Sequence, residues 1–434
     1  MLPILQKESC YVSTSPIWNR VANSDHKRPL RWEDFPNYQS ILLLQGPMGN
    51  FFSKLGEYWN IKRGAVVHKF NFNIGDDFFY NNSIGPTLEI TFEFANDYFI
   101  SNYFFRHKID ALFLFGEHRP VHKNFISLAN SLGIDVWVIE EGYFRPHFYT
   151  VDYRGVNFNS LITATPLTDT LKMEQSHHML ENPEFCFHKS FSNAAKNAII
   201  YWLCNQFNFL RYRGYQHHFS LNWSEAFYWI KSFIRFNTYR FTERNMETLI
   251  RAKAINGTEI FVAPLQVARD HQITIHSTMS CEVFIQTVLH SFADSIRMGL
   301  LSEDACLLLK HHPMDRGHCN YQKLIRTLSA QLNISNNVFY FHNLSFYKIL
   351  RYCAGCITIN STLGLHALKE GVPTINLGRS FYDKEGLTHG NDDLISFFQH
   401  RKKVNRENFG KFLQFVKRRT QINGCLYSPE YELT

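Results

Sequence analysis

Short, almost unbroken apolar runs punctuate the chain at Ile41–Leu44, Ala65–Lys69, Ala111–Phe115 and Val136–Ile139. Runs of this length predict strands buried on both faces rather than amphipathic helices. Segments with helical spacing separate them, one holding Leu55, Tyr58 and Trp59. A second series follows. Glu259–Val262, Cys306–Lys310, Val338–Phe341, Ile357–Ile359 and Thr374–Leu377 are strand-like, with a helix over 279–296 and another opening at Leu363. Residues 1–38 are polar and irregular, which predicts a surface lead-in, and a basic helix near Arg406–Arg419 closes the series. Alternating strands and helices predict parallel sheets covered on both faces, with ligands at the carboxyl ends of the strands.

Between the two series the pattern changes. Asn193–Phe209, Ser224–Phe236 and Thr242–Ala254 have helical character, with aromatic residues interleaved with Arg211, Arg213, Lys231, Arg235 and Arg240. Such a face suits an anionic lipid surface, and it equally suits a helical insert packed on a domain. The expected plan is therefore α/β. A Rossmann-like domain spans 1–190, a helical aromatic-rich insert 191–255, a second Rossmann-like domain 256–400, and a basic helix within 401–434 packs back on the first domain. That is the plan of a nucleotide-sugar transferase with its active site in a cleft between domains.

Polar clusters stand where the strands end. In the first half they are Gln45-Gly46-Pro47, Asn73 to Asp77, Gly116 to His122, and Glu140-Glu141-Gly142 with Arg145. In the second half they are Gln266, His311 to Gly317, and Asn360-Ser361-Thr362 opening a helix that contains Gly364. A hydroxyl-rich helix start after a strand is an anion site in waiting, because its first amides have no intrahelical acceptor. It is also an ordinary capped helix. His312 and Arg316 flank a proline turn and add cationic donors on the same half.

Composition excludes more than it selects. The 434 residues carry 45 basic and 38 acidic side chains, a net charge of +7 that suits an anionic small molecule or lipid and is no nucleic-acid signature. Nine cysteines without framework spacing point to a reducing compartment, and Cys353-Ala-Gly-Cys356 is expected to be packing. The first residues lack the charged start and apolar core of a signal peptide, and no apolar stretch reaches the ~18 residues that span a bilayer. A cytoplasmic protein is expected. Of the 21 histidines, His118 and His122 have a metal-ligand spacing, but Pro120 lies between them, so no metal site is expected. No G-x-S-x-G elbow is present for a hydrolase.

Taken in order, GPMGNFF, FNFNIGDDFFY, FGEHRPVH, EEGYFRP, PLQVARDHQI, HHPMDRG and NSTLGLHALKEGVPTINLGRSFYDKEGLT resemble the KpsS/LipB family of bacterial capsular polysaccharide proteins over about residues 40–390. The resemblance implies a variant GT-B fold of two Rossmann-like domains and a retaining β-Kdo transferase. Such an enzyme takes CMP-β-Kdo as donor, uses no cofactor, and adds the first Kdo to lysophosphatidylglycerol at the inner-membrane surface, in company with capsule assembly and export proteins. It implies that His312, Pro313, Ser361 and Thr362 hold the cytidine monophosphate, with Gln266, Asp315, Arg316, Asn360 and Gly364 around them. Gln45, Gly46, Asn73, Asp76, Asp77, Arg119 and His122 are expected to line the cleft on the acceptor side. Glu141, with Glu140 as rival and Arg145 nearby, supplies the catalytic carboxylate. This chain departs from those relatives in one respect: they carry Asp directly before the glycine, and this chain has Glu141. A CMP-sialic-acid transferase or a non-catalytic export scaffold are the competing readings.

Overall fold

A computed structural model describes residues 28–91, 95–174, 190–208, 223–267, 279–390, 393–427 and 433. The chain folds into two compact units, one built from residues 1–165, 172–222 and 413–434, the other from 166–171 and 223–412. Among the described residues no helix is long and apolar enough to cross a membrane.

In the first unit the strands are β1 (Ser40–Leu43), β2 (Val66–Asn71), β3 (Thr87–Glu89), β4 (Ala111–Phe115), β5 (Asp135–Glu141) and β6 (Phe148–Tyr153). The second unit has β7 (Ile260–Pro264), β8 (Cys306–Lys310), β9 (Val338–Phe341), β10 (Gly355–Thr358) and β11 (Thr374–Asn376), and β12 (Gln421–Asn423) returns to the first sheet. The sheets run β12-β6-β5-β4-β1-β2-β3 and β11-β10-β7-β8-β9. All pairs are parallel except β5·β6 and β6·β12. Each sheet thus contains the doubly wound order third-second-first-fourth-fifth. Its topological switch point falls between β1 and β4 in the first unit and between β7 and β10 in the second.

Alternation along the strands explains the continuous apolar runs. In the first sheet Leu42, Phe70, Leu112, Leu114, Val136 and Val138 pack against Tyr103 and Phe104 of helix Asp97–His107 and Phe125 of helix Pro120–Leu132. The neighbouring residues face the other way. There Phe113 and Trp137 meet Trp32, Phe35 and Trp59 with ring centroids 4.7–6.4 Å apart. The second sheet is covered likewise, by helix Cys281–Arg297 on one face and by Ile250, Phe346 and Ile349 on the other.

Three expectations need correction. The described part of the lead-in, from Arg28, is no surface strand: Leu30, Trp32, Phe35 and Tyr38 are buried, and the Trp32 indole donates to Tyr149 OH (2.7 Å). A single 3-10 turn sets Trp32 and Phe35 on one side, so two aromatics plug the sheet despite a polar average. The stretch 191–255 is not one insert. Helix Ser190–Asn205 belongs to the first unit, and helices Trp223–Thr242 and Met246–Ile255 belong to the second. Arg211 and Arg213 lie outside the described residues. The first sheet is not wholly parallel, because β6 and β12 add an antiparallel edge. Gly46 makes room for Phe52, whose ring lies 2.7 Å from where a Cβ would sit.

Candidate functional site

Both switch points are built on a glutamine two residues beyond the first strand of the unit. In the second unit Gln266 is buried, its amide nitrogen donates to Asn360 Oδ1 (2.8 Å), and its oxygen accepts from the Asn360 amide (3.3 Å). This reciprocal pair ties the end of β7 to the end of β10. Ser361 then caps helix Thr362–Lys369, its hydroxyl accepting from Leu363 N (3.2 Å). Tyr382 OH donates to the Ser361 carbonyl and to Asn376 Oδ1. Gly364 is what lets that phenol in, since a Cβ there would stand 2.3 Å from it. On the other side of β7, β8 ends at Lys310 and two residues on stands His312, whose Nδ1 accepts from Met314 N (3.2 Å) across the Pro313 turn. With Nδ1 as acceptor, the neutral ring carries its proton on Nε2, the form that donates to an anionic oxygen. The ends of β8 and β10, one strand removed on either side of β7, are about 10 Å apart. They bracket an edge rich in N–H and O–H donors.

Asp315 and Arg316 do other work. Asp315 is buried, and its carbonyl accepts from His318 N and Cys319 N, closing the turn. The Arg316 guanidinium donates to Asn343 Oδ1 (2.7 Å) and lies 5.1 Å from the Phe236 ring, which engages it beneath helix Trp223–Thr242.

In the first unit Gln45 is fully buried between Arg119, which donates to its oxygen (2.8 Å) and to Gly46 O (3.0 Å), and Asp76, which accepts from its nitrogen (3.0 Å). Asp76 also accepts from Phe72 N (3.0 Å) and Tyr201 OH (2.8 Å), while Asn73 caps Asp76 N (2.8 Å) and donates to the same phenol (2.7 Å). Asp77 accepts from Asn71 and Asn82. These carboxylates hold the turn after β2 and dock helix Ser190–Asn205. A small recess opens beside them, lined by Gly46, Phe52, Lys69, Asp76 and Tyr201. His122, fully buried at the start of helix Pro120–Leu132, hydrogen-bonds Gly116 O (2.7 Å).

Glu140 and Glu141 are the last two residues of β5 and point to opposite sides. Glu140 turns toward the loop after β4: its Oε1 lies 3.4 Å, and Arg119 Nε 3.5 Å, from where a Cβ on Gly116 would sit. Glu141 Oε1 accepts from Tyr427 OH (2.6 Å), a residue just beyond β12. Burial and the Glu141 charge raise the Tyr427 phenol well above its ordinary range, so it stays protonated and donates to that carboxylate. Arg145 is exposed, and its Nε turns to the Gly142 carbonyl (3.2 Å) rather than to Glu141.

Tyr201, Tyr382 and Tyr427 were not legible as site residues, nor were two lysines. Lys69 closes the end of β2 by donating to Leu44 O (2.9 Å) and Phe70 O (2.6 Å), and Lys310 closes β8 by donating to His311 O (3.0 Å) and His342 O (2.6 Å). Burial pushes both ammonium groups down to about 8. The one available signal was a lysine ending the second apolar run of each series.

Buried histidines make a pH prediction. Burial pushes His122 down to about 3 and His311 down to about 4. The unfolded chain takes up these protons below about pH 6.5 while the folded chain does not, so stability is complete above 6.5 and falls as pH drops toward 4. Each should contribute about 2 kcal/mol of loss by pH 5. Denaturant midpoints at pH 7 and pH 5 should differ clearly less in His122→Asn/His311→Asn than in the parent. An equal difference would mean that other groups set the acid limb.

The model of the family "Capsule polysaccharide biosynthesis protein" matches residues 110–427. Capsule polysaccharide modification protein LipB of Neisseria meningitidis serogroup A is 35% identical over 404 residues, 91% of this chain and 93% of the relative. Capsule polysaccharide export protein KpsS of Escherichia coli is 32% identical over 394 residues, 90% of this chain and 97% of the relative. Among solved structures, Thermosulfurimonas dismutans KpsC, beta Kdo 2,7 transferase, covers 87% of this chain and 90% of its own at 13% identity, with a TM-score of 0.42. With the family model spanning most of the chain and relatives matched almost end to end, this chain belongs to the capsule polysaccharide biosynthesis proteins of the LipB and KpsS kind.

Proposed function

We propose that this chain is a retaining glycosyltransferase that moves β-Kdo from CMP-β-Kdo to a lysophosphatidylglycerol acceptor in capsule synthesis. The observation that carries the reading is the edge of the second sheet, where His312 and the Ser361–Thr362 helix start flank the Gln266–Asn360 pair. A nucleoside monophosphate there meets a histidine N–H on one side and helix amides on the other. In the first unit, Glu141 attacks the anomeric carbon as CMP leaves. The acceptor hydroxyl then displaces the carboxylate, and two inversions keep the configuration.

Binding and transfer are tested separately. His312→Ala should weaken CMP binding by about 1.5–3 kcal/mol, the value of a charge-assisted hydrogen bond. Calorimetry showing the parent affinity in both His312→Ala and Ser361→Ala would remove the nucleotide site. For transfer, purified protein is incubated with fluorescent lysophosphatidylglycerol and either CMP-Kdo or CMP-sialic acid. The product should gain the mass of one Kdo. A gain of sialic acid instead would change the donor, and no gain with either would leave an export scaffold.

A further inference from the structure

Helix Trp223–Thr242 is amphipathic the wrong way round. The side that packs on the second unit is polar and charged. Glu225 Oε2 lies 3.1 Å from His318 Nε2, Tyr228 stacks on that ring at 4.5 Å, and Arg235 donates to Arg316 O (2.7 Å). Tyr239 stacks on His342 at 3.7 Å, and just past the helix Glu243 accepts from the amides of His342 and Asn343 (2.7 Å each). Gly317 lets the helix backbone sit hard against the unit, for a Cβ there would stand 2.2 Å from Tyr228 O. These contacts fix which side faces out.

The outward side carries Phe227, Ile230, Phe233, Ile234 and Phe241, each between 60% and 68% exposed. Their spacings of three, four and seven put them on one stripe. The charges that flank this stripe have one sign. Lys231 lies along one border and Arg240 along the other, and Arg244 follows with its guanidinium 4.7 Å over the Phe241 ring. The two acidic groups of this stretch, Glu225 and Glu243, are the ones engaged inward. An apolar ridge bordered by cations matches an anionic bilayer surface, where the rings enter the acyl boundary and the basic side chains meet headgroups. A partner protein with an ordinary mixed surface would leave those cations unmatched.

We infer that the outward stripe of helix Trp223–Thr242 is a membrane-docking ridge that lays the second unit on an anionic lipid surface. Docking needs no donor and no transfer, so it stands or falls apart from the glycosyltransferase reading.

Flotation of the full chain with vesicles of phosphatidylcholine, with and without phosphatidylglycerol, tests it. The parent should float with the anionic vesicles and less so as salt rises. Ile230→Ser/Phe233→Ser/Ile234→Ser should reduce flotation roughly tenfold or more at an unchanged melting temperature. Lys231→Ala/Arg240→Ala/Arg244→Ala should weaken binding to anionic vesicles and flatten its salt dependence. Parent-like flotation of the apolar triple variant, or no flotation of the parent, overturns the inference. So does a parent dimer in sedimentation that the triple variant dissociates, which would make the ridge an interface between copies.

Discussion

Glu141→Gln is expected to lower Kdo transfer roughly a thousandfold or more while CMP affinity stays at the parent value. The amide keeps the size of the side chain and can still meet Tyr427 OH, which bonds the carboxylate at 2.6 Å in the parent. What disappears is the charge proposed to attack the anomeric carbon. Glu140→Gln is the necessary companion, because that carboxylate turns toward Gly116 and Arg119 on the opposite side of β5. If Glu140→Gln abolishes transfer and Glu141→Gln does not, the nucleophile is Glu140, and Tyr427 loses its part in the chemistry. Tyr427→Phe separates orientation from attack. It should reduce turnover more mildly than Glu141→Gln, since the carboxylate remains and only the donor that orients it is gone.

Gly142→Ala should cost the fold about 3 kcal/mol or more, the range of a forced clash that rotamer changes cannot relieve. A Cβ at Gly142 would stand 1.8 Å from the Phe148 carbonyl oxygen and 2.4 Å from its carbon. Both are backbone of Phe148, the first residue of β6, so the strand itself must shift. Gly410 is the control. It lies within helix Arg406–Thr420 with nothing within 4 Å of its would-be Cβ, so Gly410→Ala should be neutral or stabilising by roughly 0.5–1 kcal/mol. A parent-like denaturation midpoint for Gly142→Ala would show that the β5–β6 turn yields freely. This effect also guards the interpretation of Glu141, since a lost activity at 142 reports geometry rather than chemistry.

The parallel strands other than β3 were legible because their faces are covered, which leaves few polar positions to interrupt the run; β3 is three residues long and mostly exposed, and no apolar run announces it. The antiparallel edge was not. In β6 the apolar residues alternate with Thr150 and Asp152, and β12 is three residues following a basic helix. The helix expected over Ser224–Phe236 carries Phe227, Ile230, Phe233 and Ile234 outward rather than into the unit. Its packed side is Glu225, Tyr228, Arg235 and Tyr239, and the helix runs on to Thr242. The strand-end clusters could be read as candidate sites because glycine, proline and polar residues follow apolar runs abruptly. How each of them is held depended on tertiary partners from elsewhere in the chain. Tyr201 reaches Asp76, Tyr382 reaches the Ser361 carbonyl, and Tyr427 reaches Glu141. No local pattern announces a phenol whose partner lies far off in sequence.

Strand β12 sets a timetable for synthesis. Gln421 bonds Thr150 across 271 residues of chain, nearly all of the second unit among them. At roughly 5–20 residues per second, a ribosome needs roughly 15–50 s to deliver the closing strand after β6 has emerged. Throughout that interval β6 offers a row of unpaired backbone groups to any strand it meets. A nascent-chain chaperone has its clearest task there. Glu141 meets its phenol partner only after residue 427 has been made, long after the strand that carries the carboxylate.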